Sequence, residues 1–266
     1  MDNTEYKSNV AEYYDQDAGD YESRYWANPV LQQIRQSFRE VVKSYPAGSM
    51  LEIGCGTGLD LVHFAQTHPS RKLSGMDISP EMVKLSAERS AESGCFNIQV
   101  RAGSAEEIAT LFPKQKFDLI YIFFGALNTV ENLDSTAQAL SSSLNKGGII
   151  VMTFVNKWYL EGMLIDLMRL RFRKAFARFK YVWGGYSPTV FLPSHCYTPR
   201  RVKRAFKDLK VIRRRGYTII HPAWFYININ QKLGSRLRRI LWKTDNLLNR
   251  TFLWRFGEYG LLVFQR

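Results

Sequence analysis

Residues 51–61 read LEIGCGTGLDL, with glycines at 54, 56 and 58 between a short apolar run and a helical pattern. An apolar run that ends in glycines reads as a buried strand entering a tight turn. Glycine admits positive φ and leaves the main chain bare, because no Cβ stands in the way. Three of them, opening directly into a helix, suit a ligand that touches backbone. In an open α/β sheet such a turn belongs at the carboxyl end of a strand, beside the point where strand order reverses.

The same alternation of strand and helix runs along the chain. Residues 8–45 read as helices, the second with apolar positions Leu31, Ile34, Phe38, Val41 and Val42. After the glycine turn, LDLVHFAQTH is a helix and KLSGMDIS a second strand closing at Asp77. PEMVKLSAERSAE follows as a helix with Pro80 in its first turn, where a missing amide is harmless. NIQVRAGS, FDLIYIFF and IIVMTFV continue the strands, and KVIRRRGYTII and YGLLVFQR are two late candidates. Alternation of this kind makes parallel βαβ units. The expected fold is α/β: a Rossmann-like, seven-stranded, mostly parallel sheet with helices on both faces. Two C-terminal insertions, 157–193 and 221–257, interrupt its second half. One domain over 1–266 fits better than two, divided into an N-terminal helical segment (1–47), a core (48–156) and a C-terminal segment (157–266).

The spacing of the turn is G-x-G-x-G. A dinucleotide fingerprint wants a third glycine at the sixth position, where this chain has Leu59. Two carboxylates accompany the turn: Glu52 at the end of the first strand and Asp77 closing the second. A carboxylate at the second position suits the two hydroxyls of a ribose, and one at the first suits a cationic amine. Together they fit a ligand with a free ribose and an ammonium group but no phosphates. Cys55, Cys95 and Cys196 show neither paired nor metal-type spacing, so no metal site is expected.

In these stretches the chain resembles the class I S-adenosylmethionine-dependent methyltransferases, in their small-molecule and quinone-modifying branch. LEIGCGTG is similar to the family's first motif, MDISPEMVKLSAER to its second-strand motif and AGSAEEI to its adenine-side motif. FDLIYIFFGALNTVEN and LNKGGIIVMTF resemble the fourth- and fifth-strand motifs, so the likeness covers residues 8–156 in order. The resemblance implies S-adenosyl-L-methionine as cofactor. Gly54, Gly56 and Gly58 would let its methionine moiety approach the backbone, with Cys55 filling the turn and Glu52 near the amino group. Asp77 would hold the ribose, Ile78 and Met82 would flank the adenine, and Phe123 and Phe124 would line the methyl-donor pocket. Ser104 stands where the family often has Asp, and Ala105 offers a backbone donor beside it. YYDQDAGDY resembles the family's lid, with Tyr14 and Tyr21 closing over the cofactor; 1–47 then becomes the lid and 48–156 the cofactor-binding core.

Methyl transfer from a sulfonium is an in-line displacement from an activated donor, so the protein mainly aligns the nucleophile and excludes water. A base serves a hydroxyl or carbon nucleophile and is unnecessary for a free amine. His195 and Tyr197, in FLPSHCYTP, are the candidates, in a region that roofs the acceptor site of related folds. Nucleobase amine methylation wants Asn- or Asp-Pro-Pro-aromatic after the fourth strand, where this chain reads FFGALN. Nucleic acid is therefore disfavoured as substrate.

Charge is sharply segregated. Residues 157–266 hold 24 Lys and Arg against 5 Asp and Glu, while residues 1–156 hold 13 against 19. The stretch 164–180 reads as a helix with Leu164, Met168, Phe172, Ala175, Phe176 and Phe179 on one face and Arg and Lys on the other. The stretch 232–250 repeats the pattern, with Leu233, Leu237, Ile240, Leu241, Leu247 and Leu248 opposite Lys232, Arg236, Arg239, Lys243 and Arg250. Such helices either turn their apolar faces to their own core or dock on an anionic membrane surface. No apolar run long enough to span a membrane occurs, and the polar opening MDNTEYKSN predicts no secretory signal. The reading is a cytoplasmic enzyme, peripheral at the inner membrane surface if the basic helices dock. It would methylate a hydrophobic small-molecule acceptor on oxygen, nitrogen or carbon, with the two insertions forming a largely apolar, aromatic-lined pocket. The alternatives are an RNA or protein methyltransferase that docks through its basic half, a nucleotide-dependent oxidoreductase, and a non-catalytic adaptor that keeps the fold.

Overall fold

Period-two alternation in the strands divides the core between the two faces of one sheet. The computed structural model describes residues 3–184 and 192–266, so residues 185–191 of the first insertion lie outside the described residues. Its strands are β1 (Ser49–Ile53), β2 (Lys72–Asp77), β3 (Ile98–Ala102), β4 (Phe117–Ile122), β5 (Leu144–Val155), β6 (Lys210–Tyr217) and β7 (Tyr259–Gln265). They form one seven-stranded sheet in the order β3-β2-β1-β4-β5-β7-β6. β1 to β5 run parallel, and β7 lies antiparallel to both β5 and β6. Leu119, Tyr121 and Phe123 face one apolar layer while Ile120 and Ile122 face the other. Both sides of β4 are therefore buried, as a central strand covered by helices requires.

The covering helices are α1 (Asn3–Trp26), α2 (Pro29–Lys43), α3 (Leu59–Thr67), α4 (Pro80–Glu92), the single turn α5 (Ile108–Leu111) and α6 (Leu133–Ser142). The C-terminal half adds α7 (Leu160–Met168), the single turn α8 (Phe172–Ala175), α9 (Pro199–Ala205), α10 (Ile227–Lys232) and α11 (Gly234–Leu248). Local chemistry sets the starts that matter here. Asn28 caps α2 by accepting from the amides of Val30 and Leu31, and Pro29 occupies the first helical position. Ser79 caps α4 in the same way, its hydroxyl accepting from the Met82 amide at 3.0 Å. α1 is latched to that cap: Asp15 accepts from the Ser79 hydroxyl and from the Glu81 amide at 3.1 Å. One acidic side chain thus holds the N-terminal helix over the carboxyl end of β2.

One expectation about the basic half needs correction. The stretch 164–180 is not one helix. α7 ends at Met168, Leu170 takes the left-handed conformation (φ 56°), and the Arg171 amide turns back to the Asp166 carbonyl at 2.8 Å. The break lets Arg178 swing inward to Glu258 (3.2 Å), leaving Phe172 and Phe176 in solvent. The stretch 232–250 is helical over Gly234–Leu248, but Leu237, Ile240 and Leu247 point outward. Its inward side carries Trp242 against the core and the buried Asp245, which accepts from the amides of Ile219 (3.0 Å) and Ile220 (2.9 Å).

β6 is an edge strand, and its run of Arg213, Arg214 and Arg215 deters pairing with another chain. Behind it the backbone packs without clearance: a Cβ at Gly216 would lie 2.1 Å from the Trp254 carbonyl oxygen. A backbone oxygen cannot move aside as a flexible side chain can. Gly216→Ala should therefore cost about 1–3 kcal/mol, read as a fall of about 2–4 °C in Tm per kcal/mol. An unchanged Tm in thermal unfolding would show that β6 packs more loosely against the Trp254 turn than described.

Candidate cofactor and acceptor site

The glycine turn is pinned to the neighbouring strand. The amides of Gly54 (2.8 Å) and Cys55 (3.1 Å) both donate to the Met76 carbonyl, and the Gly56 amide donates to Asp77 Oδ2 at 2.8 Å. Gly54 sits at φ +70°, and a Cβ there would meet the Ala126 methyl at 2.6 Å. Gly56 sits at φ +51° in open space, its nearest neighbour the Tyr21 ring at 3.9 Å. Gly58 serves packing instead, since a Cβ there would lie 2.5 Å from Ser86 Oγ; its bareness lets α4 settle on the turn. Cys55 is buried behind the turn, where burial pushes its thiol well above the ordinary range.

In front of the turn lies a cavity of about 1340 Å³. Gly54, Gly56, Asp77, Ile78, Met82, Ser104, Ala105, Phe123 and Phe124 line it from the sheet side, and Tyr14 and Tyr21 line it from α1. Most of the residues expected to contact a cofactor thus share one wall. Asp77 Oδ1 accepts from the Ser79 amide at 3.0 Å, and the Ile78 amide is a third backbone donor to the carboxylate. Burial raises its pKa despite these bonds. Ser104 is committed elsewhere: its amide (2.7 Å) and hydroxyl (2.9 Å) both bond Glu107 Oε2 in a capping box.

Glu52 and Cys55 do not reach the wide cavity. They line a small separate recess that shares Tyr21, Arg35, Gly54, Phe123 and Phe124 with it. Arg35 lines both; it is 5% exposed and sandwiched by Tyr25 (4.3 Å) and Phe124 (4.9 Å). Arg35 Nε lies 3.6 Å from Asp60, which Arg39 holds at 2.6 Å. Arg35 Nε and Nη1 have no hydrogen-bond partner among the described residues. Glu52 accepts from the Tyr121 hydroxyl at 3.1 Å, and burial, with Asp60 nearby, pushes its pKa well up. A cation beside it would favour the ionised form. A buried guanidinium whose Nη1 has no hydrogen-bond partner among the described residues, for a carboxylate, and a buried carboxyl, for an ammonium, match an amino-acid end; a bare turn and Asp77 match a ribose. These residues fit S-adenosylmethionine.

The opposite end of the cavity is built by the two insertions. Tyr159, Trp183, Trp224, Phe225 and Tyr226 supply an aromatic wall, as expected, but Arg169, Arg171, Lys174, Lys180 and Arg238 share it. The pocket is apolar and basic together. Glu258 also lines it, with one oxygen on Arg178 (3.2 Å) and Oε2 without a hydrogen-bond partner among the described residues. Burial raises Glu258 to about 7, and Arg178 opposes that rise.

The structure does not bring His195 and Tyr197 to this cavity. The His195 amide donates to Asn128 (2.7 Å), its Nδ1 lies 2.8 Å from the Tyr181 carbonyl, and the Tyr197 amide donates to Val155 (3.1 Å). That segment is strapped to the end of β5, and Tyr197 belongs to the apolar layer behind the sheet. Sequence reasoning missed Arg35, although it sits one turn after Leu31 on the helix face that Ile34 and Phe38 bury. It missed Glu258 too, for which an isolated acid in a basic half is a faint signal.

Residues 45–185 match the model of a methyltransferase domain. The ubiquinone/menaquinone biosynthesis C-methyltransferase UbiE of Citrifermentans bemidjiense is 28% identical over 149 residues, 55% of this chain and 62% of that protein. This chain spans about half the length of the curated relatives it matches. In fold it is similar to the [4+2]-cyclase SpnF (TM-score 0.64, 15% identity, 97% of this chain and 94% of that one). It is similar also to the N-methyltransferase NodS of Bradyrhizobium japonicum bound to S-adenosyl-L-homocysteine (TM-score 0.58, 16% identity, 97% and 98% covered). With the pinned turn, Asp77 and Arg35 on one wall, the chain belongs to the methyltransferase-domain family, in its class I S-adenosylmethionine-dependent form.

Proposed function

We propose that this chain methylates a hydrophobic small molecule held between its two insertions. The observation that carries this is continuity: one cavity runs from Gly54, Gly56 and Asp77 to the aromatic wall of Tyr159, Trp224 and Phe225. The cofactor supplies an electrophilic methyl on a sulfonium, and the chain's role is to bind, orient and exclude water. Arg35 and Glu52 fix the amino-acid end, Asp77 the ribose, and Phe123 and Phe124 crowd the region between. Phe124 holds φ +50°, a conformation sparsely used by a bulky residue, which turns β4 into the cavity floor. α1 closes the other side with Tyr14 and Tyr21, latched through Asp15.

A hydroxyl acceptor must lose a proton, and Glu258, which lines the insertion end, would be the group to take it. Its ordinary role would be an ion pair with Arg178, but the second oxygen is uncommitted among the described residues. A group raised to about 7 is ionised, and able to accept, above that pH.

Two predictions test the two ends. Asp77→Ala and Arg35→Met should each weaken S-adenosylhomocysteine about 10- to 100-fold in titration calorimetry, the loss expected for hydrogen bonds to a charged group. Wild-type affinity in both, with unaltered thermal unfolding, would remove the cofactor assignment. Turnover of lipid-soluble acceptors, followed as S-adenosylhomocysteine formed, should rise with pH through about 7. Glu258→Gln should abolish that limb and lower kcat for a hydroxyl acceptor about 10²- to 10⁴-fold. An unchanged pH profile would make Glu258 a structural partner of Arg178. Methylation of RNA with none of the hydrophobic acceptors would overturn the proposed substrate class.

A further inference from the structure

Helices of a soluble protein normally turn their apolar side inward. Here the second half does the reverse. Among the described residues, thirteen of the seventeen exposed large hydrophobics lie in 158–181 and 225–252, the segments that also line the acceptor end of the cavity. Met168 (77% exposed) and Leu170 (76%) stand at the break after α7, and Phe172 (59%) follows them. On α11, Leu237, Ile240 and Leu247 form an outward stripe, and the exposed Arg236, Arg239, Lys243 and Arg250 flank it. The two segments are neighbours: Arg169 lies 5.9 Å from the Tyr226 ring, and the rings of Tyr159 and Phe225 are 6.3 Å apart.

Charge selects the occupant. This half carries 24 Lys and Arg against 5 Asp and Glu. Its ion pairs among the described residues are Arg178 with Glu258 and Arg201 with Asp134, which leaves most cations uncompensated. A second copy would set one strongly basic face against another, which like-charge repulsion disfavours. Nucleic acid would answer the cations but has no use for exposed Met168, Leu170, Ile240 and Leu247. An anionic bilayer answers both, taking the apolar side chains into its interface and the cations at its headgroups. No helix among the described residues is long and apolar enough to cross a membrane, so the contact is with one leaflet.

We infer that residues 158–181 and 225–252 dock the chain on an anionic membrane surface, with the acceptor end of the cavity opening at the lipid. Docking stands on the surface alone; entry of an acceptor from the leaflet rests on the function proposed above. The docked cavity would then receive an amphiphile without its passing through water, its apolar portion against Tyr159 and Phe225 and an acidic group beside Arg169 and Arg238.

The test is co-sedimentation of the full chain with vesicles of phosphatidylcholine alone and of phosphatidylcholine mixed equally with phosphatidylglycerol, at physiological salt and with RNA as competitor. Binding to the anionic vesicles that survives RNA is expected. The double substitutions M168D/L170D and I240D/L247D should each weaken it at least about tenfold, since each removes two apolar side chains from the contact and sets two negative charges against anionic lipid. S-adenosylhomocysteine binding should stay unchanged in both, which shows that they fold. The inference fails if the wild type ignores anionic vesicles, if RNA displaces it, or if both variants bind as the wild type does. It fails equally if the wild type is a dimer that these substitutions dissociate. Vesicle binding without turnover of any lipid-soluble acceptor would leave docking in place and count against the proposed function alone.

Discussion

The Met76 carbonyl and the Asp77 carboxylate take the amides of Gly54, Cys55 and Gly56, and these bonds fix where everything else in the site can sit. They bind the loop after β1 to the end of β2, so the bare turn and the Asp77 carboxylate are held as one piece. The Gly56 amide is satisfied by the same side chain that would receive a ligand's hydroxyls. Asp77 therefore shapes the turn and, under the proposed function, would also recognise what enters it. Its neighbour Ser79 caps α4 and anchors Asp15 of α1, so α1 is referred to the same corner of the sheet. A chain with this corner in place has its cofactor wall largely preformed.

How much of this could be read from the residues follows from how local each signal is. Strand order at the carboxyl ends, the three glycines and Asp77 are set by backbone rules that act over a few residues, and they were legible. Gly58 looked like its two companions, yet its purpose is contact with Ser86 on a helix far along the chain, which no spacing reveals. Arg35 was visible as a charge on an apolar face, but its meaning depends on Tyr25, Phe124 and Asp60 converging on it. Ser104 stood where a carboxylate was expected; the structure shows its hydroxyl committed to Glu107. His195 and Tyr197 were attractive by chemistry and misplaced by topology, since their segment is strapped to the end of β5.

The basic half shows the limit of periodicity. An apolar stripe with cations beside it predicts an amphipathic helix but not the direction in which the stripe faces. On α11 the inward side is taken by Trp242 and by Asp245, whose buried carboxylate holds the Ile219 and Ile220 amides. The leucines are left outside. On α7 the pattern runs on past the helix end because the chain breaks at Leu170 and resumes only as the single turn α8 and a short 3-10 turn, although the composition of a helix continues. What remains is a cavity lined at one end by the glycine turn, Asp77 and Arg35, and at the other by basic and aromatic side chains bordered by exposed hydrophobics. That asymmetry suits an amphiphilic acceptor better than a small polar one.

The most direct test of the account is an experimental structure with S-adenosylhomocysteine bound. The account predicts the ribose hydroxyls within hydrogen-bond distance of Asp77, the carboxylate at Arg35, and the sulfur pointing along the cavity toward Tyr159 and Glu258. A nucleoside placed elsewhere, or an amino-acid end that leaves Arg35 untouched, would contradict it.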